Sequence, residues 1–556
     1  MIGRLSQVLD AALGQLGRLG PLGPLEQVPI VVRSVEVLRR AGLVPVTRPD
    51  LVVRSVLAVR HLGPIAGAAQ VAAARDHRAI GLVDELGELS YRQLDLRSNA
   101  LARALADRGV GPGSVLALLA RDHRGAVDTM LAAGKLGAKL LLMNTGFAGP
   151  QLADVAEREQ VAAFIHDQEF TELAETLDLP RYLAWVDGHG TFPVETLDEL
   201  ITSTSDRPVP LPRTAGSLTL LTSGTTGTPK GAPRQIRSPL VAAQFLDRIP
   251  LRAGECTMLA APLFHGTGLS QFILSFGLGS TVVLRRRFDP ESTLKAIQDN
   301  RCTALVVVPT MLQRIVDLGP DVLDRYDTGS LRIIFCAGSA LAPELGNRAT
   351  EAFGPVIHNL YGSTEVAVAS VATPADWAAA PGTVGRAPVG CRVAILDDDG
   401  ARITEPGVTG RVFVASGLSF SGYSDGRTKE IVDGLLSTGD IGHFDEQGLL
   451  FIDGRDDDMI VSGGENVFPA EIEHLLVEFE GVTEAAVIGV PDETFGQRLR
   501  AFVVVRDRDA VSAEDLKTHV RANLARYKVP REVVFLDELP RNATGKVLRG
   551  ELAEHP

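Results

Sequence analysis

Helical and extended apolar patterns alternate along most of the chain after about residue 70. In the first helical stretch, Leu94, Leu101 and Leu105 fall on one face, and Gly109 follows its end. The elements predicted first are a helix over 92–108, a strand over 115–119, a helix over 125–136 and a strand over 139–143. Repetition of such units is typical of an α/β domain with mostly buried strands.

The pattern changes to shorter elements after Gly454. These are a helix over 470–479, strands over 485–490 and 501–505, and a helix that begins at a capping box of Ser512 and Asp515. A segment of roughly 100 residues is typical of a second, smaller domain. The prediction is therefore an α/β protein with a helical N-terminal extension (1–69), a large layered N-terminal domain (70–456) and a small α+β C-terminal domain (457–556).

Residues 1–60 are basic and amphipathic, with eight Arg against four acidic residues. Val31, Val35 and Leu38 recur at helical spacing, residues 52–59 repeat the pattern, and two short helices are predicted. These helices either pack on the large domain or make peripheral contact with lipid. Since no signal-peptide pattern and no run of 18 or more apolar residues is found, we expect a cytoplasmic protein that does not span a bilayer.

Composition narrows the classes of partner. A net charge of −14 argues against nucleic acid, because binding to the phosphate backbone needs a basic face. The four cysteines lack a CxxC spacing, which fits a reducing cytosol. Only eight of the 55 basic residues are Lys, so a Lys inside a glycine-rich motif is informative. The oligomeric state is not indicated.

A glycine- and hydroxyl-rich loop follows the apolar strand predicted over 217–222. It reads Thr222, Ser223, Gly224, Thr225, Thr226, Gly227, Thr228, Pro229 and Lys230. Glycines let backbone N–H groups approach an anion, the hydroxyls add donors, and Lys230 adds a charge. This predicts a phosphate-binding loop, although the Walker A spacing is absent.

Further motifs follow this loop at wide spacing. They are Pro-Leu-Phe-His-Gly over 262–266, Cys-Ala-Gly-Ser-Ala-Leu over 336–341, Tyr-Gly-Ser-Thr-Glu over 361–365, Ser-Thr-Gly-Asp over 437–440, Asp-Gly-Arg over 453–455, Ser-Gly-Gly-Glu-Asn over 462–466 and Pro-Arg-Asn-Ala-Thr-Gly-Lys over 540–546. Their order resembles the ANL superfamily of adenylate-forming enzymes, which includes acyl-CoA synthetases. The resemblance covers roughly residues 70 to 550.

This resemblance implies a role for each motif in binding ATP. The residues implied to bind ATP or AMP are Thr222, Ser223, Gly224, Thr225, Thr226, Gly227, Thr228, Lys230, Gly338, Ser339, Ala340, Tyr361, Gly362, Thr364, Asp440 and Arg455. Mg²⁺ is implied at Glu365 and Thr225, and a single carboxylate suits this ion because phosphate oxygens and water complete its shell.

The resemblance also implies catalytic and moving parts. Lys546 matches the adenylation lysine, and His265 matches an aromatic position near the acyl pocket, where it would gate the pocket or position the carboxylate. Asp457 matches a hinge about which the small domain rotates, and Gly463 with Gly464 matches a loop that faces the coenzyme A channel.

The predicted function is therefore that of an AMP-forming acid–thiol ligase. ATP and a carboxylic acid, expected to be a medium- to long-chain fatty acid, would give acyl-AMP and pyrophosphate, and coenzyme A would then take the acyl group. Phe272, Leu274 and Phe276 make an apolar acyl group plausible but do not set its length. The alternatives are a ligase that loads an acyl carrier protein, an amino-acid adenylation domain, which the segment after Phe264 disfavours, and a non-catalytic acyl or adenylate binder.

Overall fold

The computed structural model describes most of the chain. The described residues are 24–44, 49–147, 149–188, 190, 192–222, 230–234, 239–419, 429–456, 460–462, 465–492, 496–524, 528–542 and 545–555. Strands and helices are numbered along these residues.

Sheet I is mostly parallel, with an antiparallel strand at each edge. Its strands, in spatial order, are β14 (Ser370–Ala372), β13 (Ile357–Tyr361), β12 (Ile333–Cys336), β11 (Ala304–Val307), β9 (Cys256–Leu259), β10 (Thr281–Val283), β1 (Ile80–Asp84) and β2 (Gly87–Ser90). β11 and β12 are buried along their whole length, as expected for strands covered on both faces.

Sheet II has the same character, with five parallel strands and one antiparallel edge strand. Its strands, in spatial order, are β6 (Arg181–Trp185), β5 (Val161–Asp167), β3 (Val115–Leu119), β4 (Lys139–Leu142), β7 (Leu218–Thr222) and β8 (Lys230–Arg234). The predicted strands over 115–119, 139–143 and 217–222 are confirmed.

Two further sheets follow in the chain. Sheet III is antiparallel and contains β16 (Arg402–Ile403), β15 (Cys391–Leu396), β17 (Gly410–Ser416), β19 (Leu435–Phe444), β18 (Ile431–Val432) and β20 (Leu450–Arg455). Sheet IV contains β22 (Glu465–Val467), β21 (Ile460–Ser462), β24 (Gly496–Val505), β23 (Val482–Asp492) and β25 (Glu532–Phe535). Sheet IV and its helices form a separate small α+β core.

The helices connect and cover these sheets. They are α1 (Pro24–Ala41), α2 (Pro49–Arg75), α3 (Tyr91–Asp107), α4 (Arg124–Leu136), α5 (Gly149–Arg158), α6 (Thr171–Ala174), α7 (Leu197–Ser203), α8 (Ala243–Leu246), α9 (Gly266–Gly277), α10 (Pro290–Asn300), α11 (Pro309–Val316), α12 (Pro320–Leu323), α13 (Pro343–Phe353), α14 (Pro374–Ala379), α15 (Pro469–Val477), α16 (Ala513–Asn523) and α17 (Arg549–Ala553). Short 3₁₀ turns occur at Gln168–Phe170 and Pro239–Ala242. The predicted capping box of Ser512 and Asp515 begins α16 and is confirmed.

Helices α1 and α2 pack on the large domain. Val37 and Leu38 of α1 belong to the main core, and Arg33 forms an ion pair with Asp247 at 3.1 Å. The predicted apolar face of α1 is wrong at Val35, which is 43% exposed. The residues of α1 that are buried are those that face the α8 region, and they do not coincide with the regularly spaced valines.

Helix α2 bends sharply at Gly63, where φ is +78°. A methyl group added at Gly67 would lie 2.9 Å from the backbone of Ala58, so the two halves of α2 lie against each other. Contrary to the expectation that no stretch could span a bilayer, Arg54–Arg75 is long and apolar enough by length and composition. Half of this stretch is buried, and Ala66 contacts α4 closely at Gly134, which is the packing of a core helix.

Candidate active site

The carboxyl ends of four neighbouring parallel strands of sheet I meet at one edge. β9, β11, β12 and β13 lie side by side and point the same way. In open α/β sheets ligands bind outside this edge, because the following loops and helix N-termini converge there. The chain that follows each of these strands lines a cavity of about 320 Å³.

This cavity, named here the reaction cavity, brings together residues that are far apart in the chain. The predicted site residues that line it are His265, Gly338, Gly362, Thr364, Glu365 and Lys546. Lys546 comes from the small domain and the others come from the large domain, so the site lies between the two.

Tight backbone turns shape the large-domain side. A methyl group at Gly362 would lie 2.1 Å from the carbonyl oxygen of Ala367, so only glycine fits this turn. Ser363 Oγ accepts a hydrogen bond from the backbone N–H of Glu365 at 3.1 Å. Gly338 follows β12 with a φ of +104°, a conformation that favours glycine. These turns place Thr364 and Glu365 at the cavity wall.

His265 lies at the N-terminus of α9. Its Nε2 atom is buried and has no hydrogen-bond partner among the described residues. Burial lowers the pKa of His265 to about 4, so the imidazole is neutral near pH 7. A neutral imidazole at the cavity wall can donate or accept a hydrogen bond but does not add a charge.

The loop that carries His265 is held by Asp122, a residue that the sequence reasoning missed. The buried Asp122 carboxylate accepts a hydrogen bond from the backbone N–H of Leu263 at 3.0 Å. Burial raises the pKa of Asp122 to about 7. The contact joins positions 141 residues apart, and no local pattern points to it.

A second group of polar residues joins sheet III to the reaction cavity. The Tyr361 hydroxyl, at the end of β13, donates a hydrogen bond to the Asp440 carboxylate. Arg455 lies across the ladder from Asp440 and approaches it at 3.5 Å. Burial raises the pKa of Asp440, and the Arg455 cation opposes that rise. The three predicted nucleotide-binding residues are therefore neighbours.

Lys429 adds a cation to this group and was also missed. A methyl group at Gly439 would lie 3.3 Å from Lys429 Nζ and 3.4 Å from Arg455 Nη2, so both cations flank the turn before Asp440. The rarity of lysine in this chain could have directed attention to it.

Lys546 is exposed and lies on a tight turn of the small domain. Its backbone N–H donates to Asn542 Oδ1, and the Asn542 N–H donates to the Lys546 carbonyl, both at 2.9 Å. Gly545 has a φ of +79°, and a methyl group there would lie 2.5 Å from Thr310 Oγ1 at the start of α11. The turn therefore fits closely against the large domain.

A second cavity, of about 270 Å³, lies beside the reaction cavity at the junction of the two domains. Ser339 and Ala340 line it from the large domain, and Arg541 and Lys546 line it from the small domain. The residues predicted over 338–340 are therefore divided between two adjoining cavities, both of which Lys546 lines.

Some predicted residues lie at or beyond the limits of the described chain. Thr222 and Lys230 are paired at the ends of the antiparallel strands β7 and β8, so the two ends of the predicted phosphate-binding motif lie side by side. The predicted residues outside the described ranges are Ser223, Gly224, Thr225, Thr226, Gly227, Thr228, Asp457, Gly463 and Gly464.

The chemistry of the cavity wall fits Mg²⁺ held together with a phosphate. In the part of the chain that the structure describes, no group of three or more His, Cys, Asp or Glu side chains could hold a metal alone. Glu365 supplies one carboxylate to the reaction cavity. Mg²⁺ is commonly bound by one or two carboxylates together with substrate phosphates and water.

Comparison with known proteins agrees with this geometry. Residues 68–424 match the model of the AMP-binding enzyme family, and residues 471–546 match that of the AMP-binding enzyme C-terminal domain. The chain is 35% identical to the indoleacetate–CoA ligase of Aromatoleum aromaticum over 84% of its own length and 93% of the relative's. It is 32% identical to the fatty acid–[acyl-carrier-protein] ligase ScoC of Streptomyces coeruleorubidus, over 84% and 91% of the two lengths.

A solved structure shows the same architecture. The o-succinylbenzoate CoA synthetase of Bacillus subtilis, in complex with its acyl-adenylate intermediate, superposes with a TM-score of 0.76 and 27% identity over 88% of this chain and 98% of that chain. The predicted α/β fold with a large N-terminal and a small C-terminal domain is thereby confirmed. The chain belongs to the AMP-binding, adenylate-forming enzymes of the ANL superfamily.

Proposed function

We propose that this protein is an ATP-dependent acid–CoA ligase. It would join a carboxylate to AMP with release of pyrophosphate and then transfer the acyl group to the thiol of coenzyme A. The observation that carries the proposal is the meeting of Lys546 from the small domain with Glu365 and His265 from the large domain around one cavity.

The first half-reaction needs charge neutralisation and alignment more than proton transfer. A carboxylic acid is already ionised near neutral pH, so its attack on the α-phosphate needs no general base. Two anions must nevertheless be brought into contact. The Lys546 ammonium group would lie between the carboxylate and the phosphate and lower the cost of their approach.

The large-domain residues would hold the nucleotide. The carboxylate of Asp440, with Tyr361 and Arg455 beside it, suits the hydroxyls of a ribose. Lys230 and the loop that precedes it would hold the phosphates. Bound at Glu365, Mg²⁺ would neutralise charge on the phosphate oxygens and on the leaving pyrophosphate.

The neutral state of His265 suits an acyl pocket. Its pKa of about 4 keeps a positive charge away from the apolar side of the cavity at pH 7. The buried Nε2 would form a hydrogen bond with the substrate carboxylate and so position it for attack. Asp122 would fix this histidine indirectly, through the backbone of Leu263.

The second half-reaction would require the small domain to turn. Gln313 Nε2 of α11 donates to the carbonyl oxygen of Thr483 at 3.2 Å, and Gly545 lies against Thr310. These contacts would break as Lys546 leaves and as the loop at Gly463 and Gly464 takes its place. Asp457 is the proposed pivot, since a hinge needs residues that accept a change in φ and ψ at an element end.

A medium- to long-chain fatty acid is the proposed substrate. The helix that follows His265 presents Leu269, Ile273 and Leu274 to an apolar cavity. Phe272 and Phe276, which the sequence analysis grouped with Leu274, do not line that cavity and are fully buried on another side of α9, where Phe276 packs edge-on against Tyr91. Similar ligases are named for indoleacetate, for 2-succinylbenzoate and for fatty acids. Activity with each class of acid therefore identifies the substrate.

The function is tested by offering ATP, Mg²⁺, coenzyme A and a panel of acids from acetate to long-chain fatty acids to the full-length protein. We expect AMP and an acyl-CoA thioester in equal amounts, greatest for apolar acids. Absence of AMP release and of thioester with every acid, from protein that binds ATP, would contradict the proposal.

One similar protein favours a second acceptor. ScoC is a ligase that joins a fatty acid to an acyl carrier protein. The same assay with a phosphopantetheinylated carrier protein in place of coenzyme A distinguishes the two. Thioester on the carrier alone, with none on coenzyme A, would assign the chain to the second type.

We further propose a cytoplasmic location with peripheral contact to lipid through α1. Val28, Val32 and Val35 lie at helical spacing and are 55%, 63% and 43% exposed. A Val32→Glu variant should sediment less with phospholipid vesicles than the unaltered protein. Equal sedimentation of the two would rule out lipid contact at this face.

A further inference from the structure

The apolar cavity beside helix α9 lies between that helix and the N-terminal helices. Its volume is about 150 Å³, and its walls are almost entirely hydrocarbon. Val59, Pro64 and Ala68 of α2 form one side, and Leu269 and Ile273 of α9 form the other. We name this space the apolar tunnel.

The apolar tunnel continues from the reaction cavity. Leu220, Phe245, Gly266 and Ser270 line both spaces. A molecule whose carboxylate lies near His265 would therefore direct its other end past Phe245 and toward α2. Because the two spaces share these wall residues, the tunnel lies where the acyl tail of the substrate would extend.

Part of the tunnel wall comes from the N-terminal extension. Leu43, Val44, Val59 and Pro64 precede residue 68, where the match to the AMP-binding family model begins. The reacting residues belong to the shared family region, whereas this side of the tunnel is built partly from the segment that precedes it.

The extension is anchored where it forms this wall. Arg75 Nη2 donates to the carbonyl oxygen of Leu43 at 2.6 Å, and Arg75 Nη1 approaches the carbonyl oxygen of Leu278 at 3.5 Å. A methyl group at Gly277 would lie 3.4 Å from Leu43 Cδ1. One arginine thus joins Leu43, just after α1, to the C-terminal end of α9.

We propose that helix α2, with Leu43 and Val44, sets the length of the acid that this enzyme activates. The proposal rests on the proposed function and adds the substrate class: a monocarboxylic acid with an uncharged, apolar tail. A cavity of about 150 Å³ lined by aliphatic and aromatic side chains holds a molecule the size of benzene, so roughly six carbons of the tail fit in the tunnel, beyond those that lie in the reaction cavity. A second carboxylate at the far end would lose its hydration without gaining a partner.

Narrowing the tunnel from α2 tests the proposal. Val59→Trp should lower kcat/KM for octanoate and decanoate at least about tenfold relative to butanoate, since one methylene too many in a hydrophobic pocket already costs roughly 10- to 200-fold. Acid-dependent pyrophosphate release is the readout, so the thiol acceptor does not matter. Adipate should be a poor substrate for the unaltered protein beside hexanoate.

Matched variants make the result specific. Leu57→Trp is the control, because Leu57 is 39% exposed on the same helix and does not line the tunnel. Its chain-length profile should equal that of the unaltered protein. If Val59→Trp fails to fold, Val59→Ala provides the opposite test and should shift the profile toward longer acids.

The outcomes separate this inference from the proposed function. If the unaltered protein activates apolar acids and the Val59 variants leave the profile unchanged, the role of α2 is overturned and the ligase function stands. If none of the acids causes the unaltered protein to release pyrophosphate, the proposed function itself is contradicted. If adipate equals hexanoate, the apolar substrate class is wrong.

Discussion

The two sides of the reaction cavity are built in different ways. On the large-domain side, Glu365, Gly338 and His265 follow strands that lie in a buried core, and tight turns at Gly338 and Gly362 shape the wall. On the small-domain side, Lys546 is an exposed residue on a turn held by its own local hydrogen bonds. The large-domain side is therefore part of a rigid core, whereas the position of the small domain determines whether Lys546 reaches the cavity.

This difference separates what must stay in place from what can leave. Residues at the ends of core strands can move only if the core is disturbed, whereas a turn held by Asn542 and Gly545 keeps its shape when the whole small domain moves. A site divided in this way allows the lysine to serve one half-reaction and to withdraw for the next.

The largest expected effect is the loss of the lysine itself. Lys546→Ala should lower acyl-AMP formation roughly 10²- to 10³-fold, the usual cost of removing a preorganised charge stabiliser. Thioester formation from synthetic acyl-AMP should change little. Lys528→Ala removes another small-domain lysine, one paired with Glu471, and serves as the control. Near-normal adenylation in Lys546→Ala would show that the small-domain side of the reaction cavity does not supply the lysine needed for this step.

Loss of the large-domain carboxylate should come next. Glu365→Gln should lower adenylation about 10- to 100-fold and raise the Mg²⁺ concentration needed for half-maximal rate, because Mg²⁺ depends on few protein carboxylates. The rate is measured as a function of Mg²⁺, with the exposed Glu351→Gln as control. An unchanged Mg²⁺ requirement would remove Glu365 from the metal site.

A smaller effect is expected where the two sides touch. Gly545→Ala places a methyl group 2.5 Å from Thr310 Oγ1 and strains a residue at φ +79°. Strain of this kind costs about 1–3 kcal/mol, so adenylation should fall roughly tenfold while thioester formation from acyl-AMP is spared. Gly550→Ala, where a methyl group meets nothing within 4 Å, is the control. Equal loss of both half-reactions would indicate general damage to the small domain.

The smallest effect concerns Asp122. Because burial raises its pKa in the folded protein to about 7, the native state holds an extra proton between the unfolded pKa and pH 7, and stability falls as pH rises through that window. Asp122→Asn keeps an acceptor for Leu263 and removes this penalty. At pH 8 its Tm should exceed that of the unaltered protein by about 2–4 °C, with no gain near pH 4.

Scanning calorimetry across this pH range measures the difference. Asp122→Ala, which lacks the acceptor, should lower Tm at both pH values. A parallel pH dependence in Asp122→Asn and the unaltered protein would show that this carboxyl is not the source of the slope.

The sequence predicted what local pattern controls. Strands such as Val115–Leu119 and the capping box of Ser512 and Asp515 depend on neighbours in the chain, and both are confirmed. The family was also indicated by the sequence, because each motif is a short run of neighbouring residues and the motifs follow one another in the family order. Contacts between distant segments could not be predicted, and they include Asp122 with Leu263 and the turn at Gly545 with Thr310.

The N-terminal helices show that a helix can be predicted from sequence while its packing cannot. Helical spacing predicted that they exist, yet Val35 is exposed because the buried face is chosen by the surface that α1 meets. The bend at Gly63 and the apolar tunnel depend on how α2 folds back and packs on α9. Periodicity within a helix carries no information on either.

The most direct test of the account is detection of the acyl adenylate itself. The unaltered protein is incubated with ATP, Mg²⁺ and an apolar acid such as octanoate, without any thiol, and the products are measured by mass spectrometry. We predict acyl-AMP and pyrophosphate in equal amounts, with the acyl-AMP consumed when coenzyme A is added. Hydrolysis of ATP without acyl-AMP, or no reaction with any acid in the panel, would contradict the account.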